Sequence, residues 1–164
     1  VYPDRSGYPV YHAGTYVTDP TSPFNERWGG WYVTGTHGSL RHLGNLTYDN
    51  PERPETLDLS AGANRTDLSE HFDSNAYLSG ASDIVALMVL EYQTYAHNSL
   101  TRCSYEVRTA LLQNKEINRA LERPETHVSE STTTRIMSVC DYVIETLLLK
   151  DEAKLTDAVK GLEL

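Results

Sequence analysis

Ser82-Asp83-Ile84-Val85-Ala86-Leu87-Met88-Val89-Leu90-Glu91 decides the fold class, because it starts a run to about Gln113 that has neither Gly nor Pro. Ser82 has the residue type of an N-cap, and Asp83 puts an anion in the first turn, where the helix dipole favours it. The first two turns are apolar all round, which predicts burial on more than one side. A shorter helix is expected from about Lys115 to Glu122, stopped by Pro124. Ser129 or Ser131 is placed to cap the next, about Thr132 to Lys150. There Ile136, Val139, Cys140, Val143, Ile144, Leu147 and Leu148 follow a 3.6-residue period. A last short helix is expected over Glu152 to Leu162. The prediction is a mainly α protein, a three- to four-helix bundle.

Residues 1–80 read differently. They hold nine of the ten Gly and six of the seven Pro. Turn signals at Tyr2-Pro3-Asp4, Gly7-Tyr8-Pro9, Asp19-Pro20, Ser22-Pro23, Gly29-Gly30 and Asn50-Pro51 break any long element. Short β pieces are expected at Tyr8–Tyr11 and Trp31–Thr34. The segment is rich in Trp, Tyr and His, so it reads as an ordered irregular wrap over a helical core rather than a linker. The chain is therefore taken as a single domain, 1–164, with site-forming loops over 1–80 and a helical core over 81–164.

The 164 residues carry 23 acidic against 14 basic side chains, a net charge of −9, which argues against nucleic acid or anionic lipid as the main partner. The longest apolar run, Ile84 to Leu90, is far short of the ~20 residues a spanning helix needs. The helical half is a small core by itself, so packing of the first half on it, or a homodimer, is expected to complete it. Cys103 and Cys140 lack metal-site spacing and read as small buried hydrophobes, with a helix-to-helix disulfide as the alternative. Asn45-Leu46-Thr47 and Asn64-Arg65-Thr66 fit the glycosylation pattern, a short pattern that arises often by chance.

The densest candidate for chemistry is Phe24 to Asn45, with both Trp, five Gly and two His. His37 and His42 are close enough in a Gly-containing loop to reach one metal ion. Glu91 directly follows the apolar run, where a carboxylate is normally paired or metal-bound. Glu91 and His97 are about 120° apart around a helix, so they line two sides of a cleft. The expected metal set is drawn from His37, His42, Glu91 and His97, with zinc or another divalent transition metal favoured because no soft ligand adjoins the His pair. A metal-activated water, Glu26 or Glu91 as general base, and Arg27 or Arg41 facing an anionic transition state would make a hydrolase of a small ester or phosphoester. The plainer reading has the Trp residues anchoring the loop, the His bonding locally, and Glu91 paired with Arg41, Arg27 or Arg102. His12, His71 and His127 carry no such demand.

Glu26-Arg27-Trp28-Gly29-Gly30-Trp31-Tyr32-Val33-Thr34-Gly35-Thr36-His37 with Arg41-His42-Leu43-Gly44-Asn45, and Ser82 to Gln93 with His97-Asn98 and Arg102, resemble large exported bacterial proteins that carry a c-type haem attachment segment before this region. The likeness covers most of residues 1–115. It implies a periplasmic or extracellular protein, a site around His37, His42, Glu91 and His97, and a piece of a longer chain. Cys-x-x-Cys-His is absent here, so covalent haem attachment is not implied. Two other roles follow: a non-catalytic region of an electron-transfer protein with haem nearby, or a structural helical dimerisation module.

Overall fold

The structure, a computed structural model, describes residues 3–10, 17–48 and 57–162. His12, the Asn50-Pro51 turn and the end of the Tyr8–Tyr11 piece lie outside them. Two long helices dominate: α1, Ile84–Ala120, and α2, Glu130–Leu147. Single 3-10 turns occur at Phe24–Glu26 and Ser74–Ala76. The protein is mainly helical, as the periodicity predicts, but among the described residues two α-helices stand where three or four were expected. The break at Gln113–Lys115 does not occur, since nothing in Gln113-Asn114-Lys115 opposes a helix and α1 runs on to Ala120.

The expected helix over Glu152 to Leu162 is also absent. The segment instead makes long-range bonds: Lys160 and Thr36 exchange backbone hydrogen bonds at 2.8 and 2.9 Å. Asp157 accepts from the backbone N–H and hydroxyl of Ser39. The expected β pieces reduce to isolated bridges, Pro3 with Pro9 and Thr34 with Asp83.

The chain divides into two compact units, Val1–Tyr92 with Glu152–Leu164, and Gln93–Asp151. In the first, Phe24, Trp28, Val33 and Ile84 form the core, joined by Leu40, Leu87, Met88 and Val159. Only one face of the first turns of α1 is buried: Ile84 is fully enclosed, while Val85, Val89 and Leu90 are exposed. That corrects the expectation of burial on more than one side. Asp83, not Ser82, caps α1, its carboxylate accepting from Ala86 N–H at 2.8 Å and from Leu162 N–H at 2.6 Å. Ser82 is occupied by Thr34, which takes its N–H on Oγ1 and gives an N–H to its carbonyl.

The second unit is an α-helical hairpin. Ser129 caps α2 as expected, accepting from Thr132 N–H. The seam is small and polar. Asn114 accepts from the Thr132 hydroxyl and Ser129 N–H, and Asn114 and Asn118 both donate to His127 O at 2.7 Å.

Gly35 is a point of close approach in the first unit. Its φ is +142°, and a Cβ there would collide with Ile84 Cγ2 and approach Lys160 O to 2.7 Å. Gly35→Ala is expected to cost about 2–4 kcal/mol, from left-handed strain plus overpacking. Urea unfolding reads this directly; a loss below ~0.5 kcal/mol, ordinary for a surface change, contradicts the close approach.

Candidate functional site

The first unit brings His37 and His42 together, with ring centroids 4.7 Å apart and both side chains enclosed. Phe24 lies 5.8 Å from His37 and 6.0 Å from His42, and Trp28 lies 5.4 Å from His42. The rings form one buried aromatic cluster. Trp28 thus anchors the loop, whereas Trp31 is mostly exposed.

The hydrogen bonds set both tautomers. His37 Nδ1 lies 3.0 Å from Leu40 O, and its Nε2 accepts Asn64 N–H at 3.0 Å. His37 is therefore neutral, with its proton on Nδ1. His42 Nδ1 accepts Gly44 N–H at 3.0 Å, so its proton is on Nε2. Each ring has one lone pair, and a backbone N–H holds it. A metal ion at either ring would have to displace that N–H. Among the described residues no three His, Cys, Asp or Glu side chains are grouped to hold a metal.

Burial holds the His42 pKa down at about 4, helped by the neighbouring His37 and Arg41. Burial also lowers that of His37, against the bond to Leu40 O.

Two asparagines, to which sequence reasoning gave no structural role, take the place of strand partners. Asn45 accepts Val33 N–H at 2.7 Å and donates to Val33 O and Gly62 O. Asn64 accepts His37 N–H at 2.7 Å and donates to Gly38 O at 3.0 Å. Both have positive φ, 64° and 54°, which Asn tolerates better than most residues. Their neighbours Gly44 and Gly62–Ala63 were the available hint of sharp turns.

Arg27 is buried. It donates to Ser22 O and Pro20 O, and its Nη1 lies 3.6 Å from Glu91 Oε2. Of the three arginines considered for Glu91, it is the one paired with it. Burial raises the Glu91 pKa, opposed by Arg27 and reinforced by Asp19 and Glu152. Arg41 is spent on Gly38 O, Leu40 O and Ser60 Oγ. Glu26 is exposed, and His97 is an exposed residue of the second unit.

The second unit has a two-sided surface. On one flank polar side chains cross between the helices. Arg135 donates to Glu106 and Gln113, the Tyr95 and Tyr142 hydroxyls meet at 2.8 Å, and Arg102 lies over the Tyr142 ring. At about 100° per residue, Leu100, Val107 and Leu111 fall on the other side of the α1 seam line. Met137, Ile144 and Leu147 do so on α2. Because the helices run antiparallel, equal rotations on the two lead to the same flank. Leu100, Leu111, Met137, Ile144 and Leu147 are each 45–58% exposed there. Spacings of three, four and seven residues make two apolar stripes side by side.

No protein family, curated protein or solved structure matches the chain. No helix among the described residues is long and apolar enough to cross a membrane.

The neutral imidazoles set a pH dependence. In the unfolded chain His42 titrates near 6.5, in the folded protein near 4. Above pH 6.5 neither state gains a proton and its contribution is whole. Below it the unfolded state alone takes one, so stability falls until about pH 4 and then levels. The expected slope is about 1.4 kcal/mol per pH unit from this group. The difference in unfolding free energy between wild type and His42→Asn, which keeps an acceptor for Gly44 N–H, isolates it from the carboxylates. A difference that stays constant across that window contradicts the neutral, enclosed ring.

Proposed function

We propose that this chain serves as an association module whose hairpin, residues 93–151, pairs with a second copy through its apolar flank. One observation carries the reading: the flank with Arg135, Glu106, Tyr95 and Tyr142 is internally satisfied, while the opposite flank leaves large apolar side chains half exposed. A two-helix unit has no third element to cover such a face, and apolar surface left in water costs about 25 cal/mol per Å². Five half-exposed side chains with Leu148 amount to roughly 600 Å² per copy, near the ~800 Å² per partner of a standard stable interface. Two hairpins meeting on this flank make a four-helix bundle with coiled-coil spacing. The bundle expected from the sequence would then belong to the dimer.

The metal-dependent hydrolase built on His37, His42, Glu91 and His97 is the competing reading. It requires two buried imidazoles to exchange backbone partners for a metal, and Glu91 to loosen from Arg27. The observed lone-pair use favours a structural role for the pair.

Light scattering after gel filtration is expected to give about twice the 18.4 kDa chain mass. The double variant Ile144→Glu/Leu147→Glu should run as a monomer with unchanged helix content, while Arg135→Ala on the other flank leaves the dimer intact. A wild-type protein that stays monomeric at submillimolar concentration overturns the proposal. Stoichiometric zinc in the purified protein, lost in His37→Ala, would decide for the hydrolase.

A further inference from the structure

Cys103 on α1 and Cys140 on α2 meet across the hairpin seam. Their Sγ atoms are 3.8 Å apart, in van der Waals contact, and both thiols are free. Neither is fully enclosed. A recess of about 130 Å³ opens beside Cys103, lined by Ser99, Arg102, Ser138, Val139 and Tyr142. It lies on the polar flank, away from the apolar stripes. A disulfide requires the two sulfurs to close from this contact to ~2.05 Å.

We propose that Cys103 and Cys140 are a reversible modification site, closing to a disulfide that staples α1 to α2, with a low-molecular-weight disulfide such as oxidised glutathione as the oxidant. One protein thiolate attacks a sulfur of the small disulfide, forming a mixed disulfide and releasing one small thiol. The second protein thiolate attacks the protein sulfur of that mixed disulfide and releases the other. Two protein S–H bonds are lost, one S–S bond forms, and the small disulfide is reduced to two thiols. Arg102 puts a cation at the recess, which favours an anionic reagent such as glutathione. The bond would close a loop from residue 103 to residue 140, spanning the whole helix–turn–helix connection, and so restrict the unfolded chain. The site concerns the seam within one hairpin and stands whether or not two hairpins pair.

The full chain would be incubated with oxidised glutathione, unfolded, treated with iodoacetamide and weighed by intact-mass spectrometry. The expected species has lost two hydrogens, carries no alkyl group and runs as a single chain on a non-reducing gel. Its thermal midpoint should rise by several degrees and return after dithiothreitol. Cys103→Ser and Cys140→Ser, each with one thiol left, should show neither the mass loss nor the midpoint shift. Two alkyl groups on the treated protein, two stable glutathione adducts, or a disulfide between chains would each overturn the proposal.

Discussion

Buried backbone must find hydrogen-bond partners, and the described residues of the first unit meet this need without strands. Its loop from Trp28 to Asn45 buries Val33, Thr34, Gly35, His37 and His42, where water cannot help. Side chains therefore stand in for neighbouring strands. Asn45 takes both polar groups of Val33, and Asn64 takes His37 N–H and Gly38 O. The imidazoles accept from Asn64 and Gly44, and Arg27 and Arg41 collect carbonyls. This arrangement makes the residue types matter as much as the hydrophobic pattern. It also explains why histidines that look like ligands in sequence are held neutral: a proton on the accepting nitrogen would evict a backbone N–H in a place with no substitute.

The hairpin solves the opposite problem. Its backbone is satisfied within the helices, but its buried residues are Ser99, Ala110, Asn114, Asn118, Thr132, Val143 and Thr146, mostly small or polar. Small and polar groups let the helices meet and fix their register through amide bonds. They also leave most large apolar side chains outside the seam. A lone pair of helices cannot wrap an apolar core, so the surplus gathers on the flank that lacks cross-helix polar bonds.

Helices were the most legible part of the chain. A stretch free of Gly and Pro, a 3.6-residue period and Ser129 as cap place α2 and the start of α1 to within a few residues, but not the run of α1 past Gln113 to Ala120. The placement of Glu91 beside an arginine was also readable, because a carboxylate after an apolar run needs a counter-charge. Less was visible where pairing is non-local. Nothing near Lys160 announces Thr36 as its partner, so local propensity suggested a helix there. The strand-like service of Asn45 and Asn64 was hidden behind a pattern with a more familiar meaning. Gly44 and Gly62 marked sharp turns, but not which backbone groups the amides would meet. The apolar turns that open α1 misled in another way, since composition cannot tell a helix buried all round from one whose outer side is simply left apolar.

The tie between Thr36 and Lys160 sets an order of events during synthesis. The first unit is sewn from chain pieces separated by the whole hairpin, with Ser39 bonded to Asp157, 118 positions away. Contacts so distant close slowly, and on a ribosome they cannot form before residue 160 has emerged. The hairpin, one continuous stretch from residue 93 to residue 151, is free to fold first. Until then the bonds of the tail to Thr36 and Ser39, and the packing of Val159 on the aromatic core, are missing.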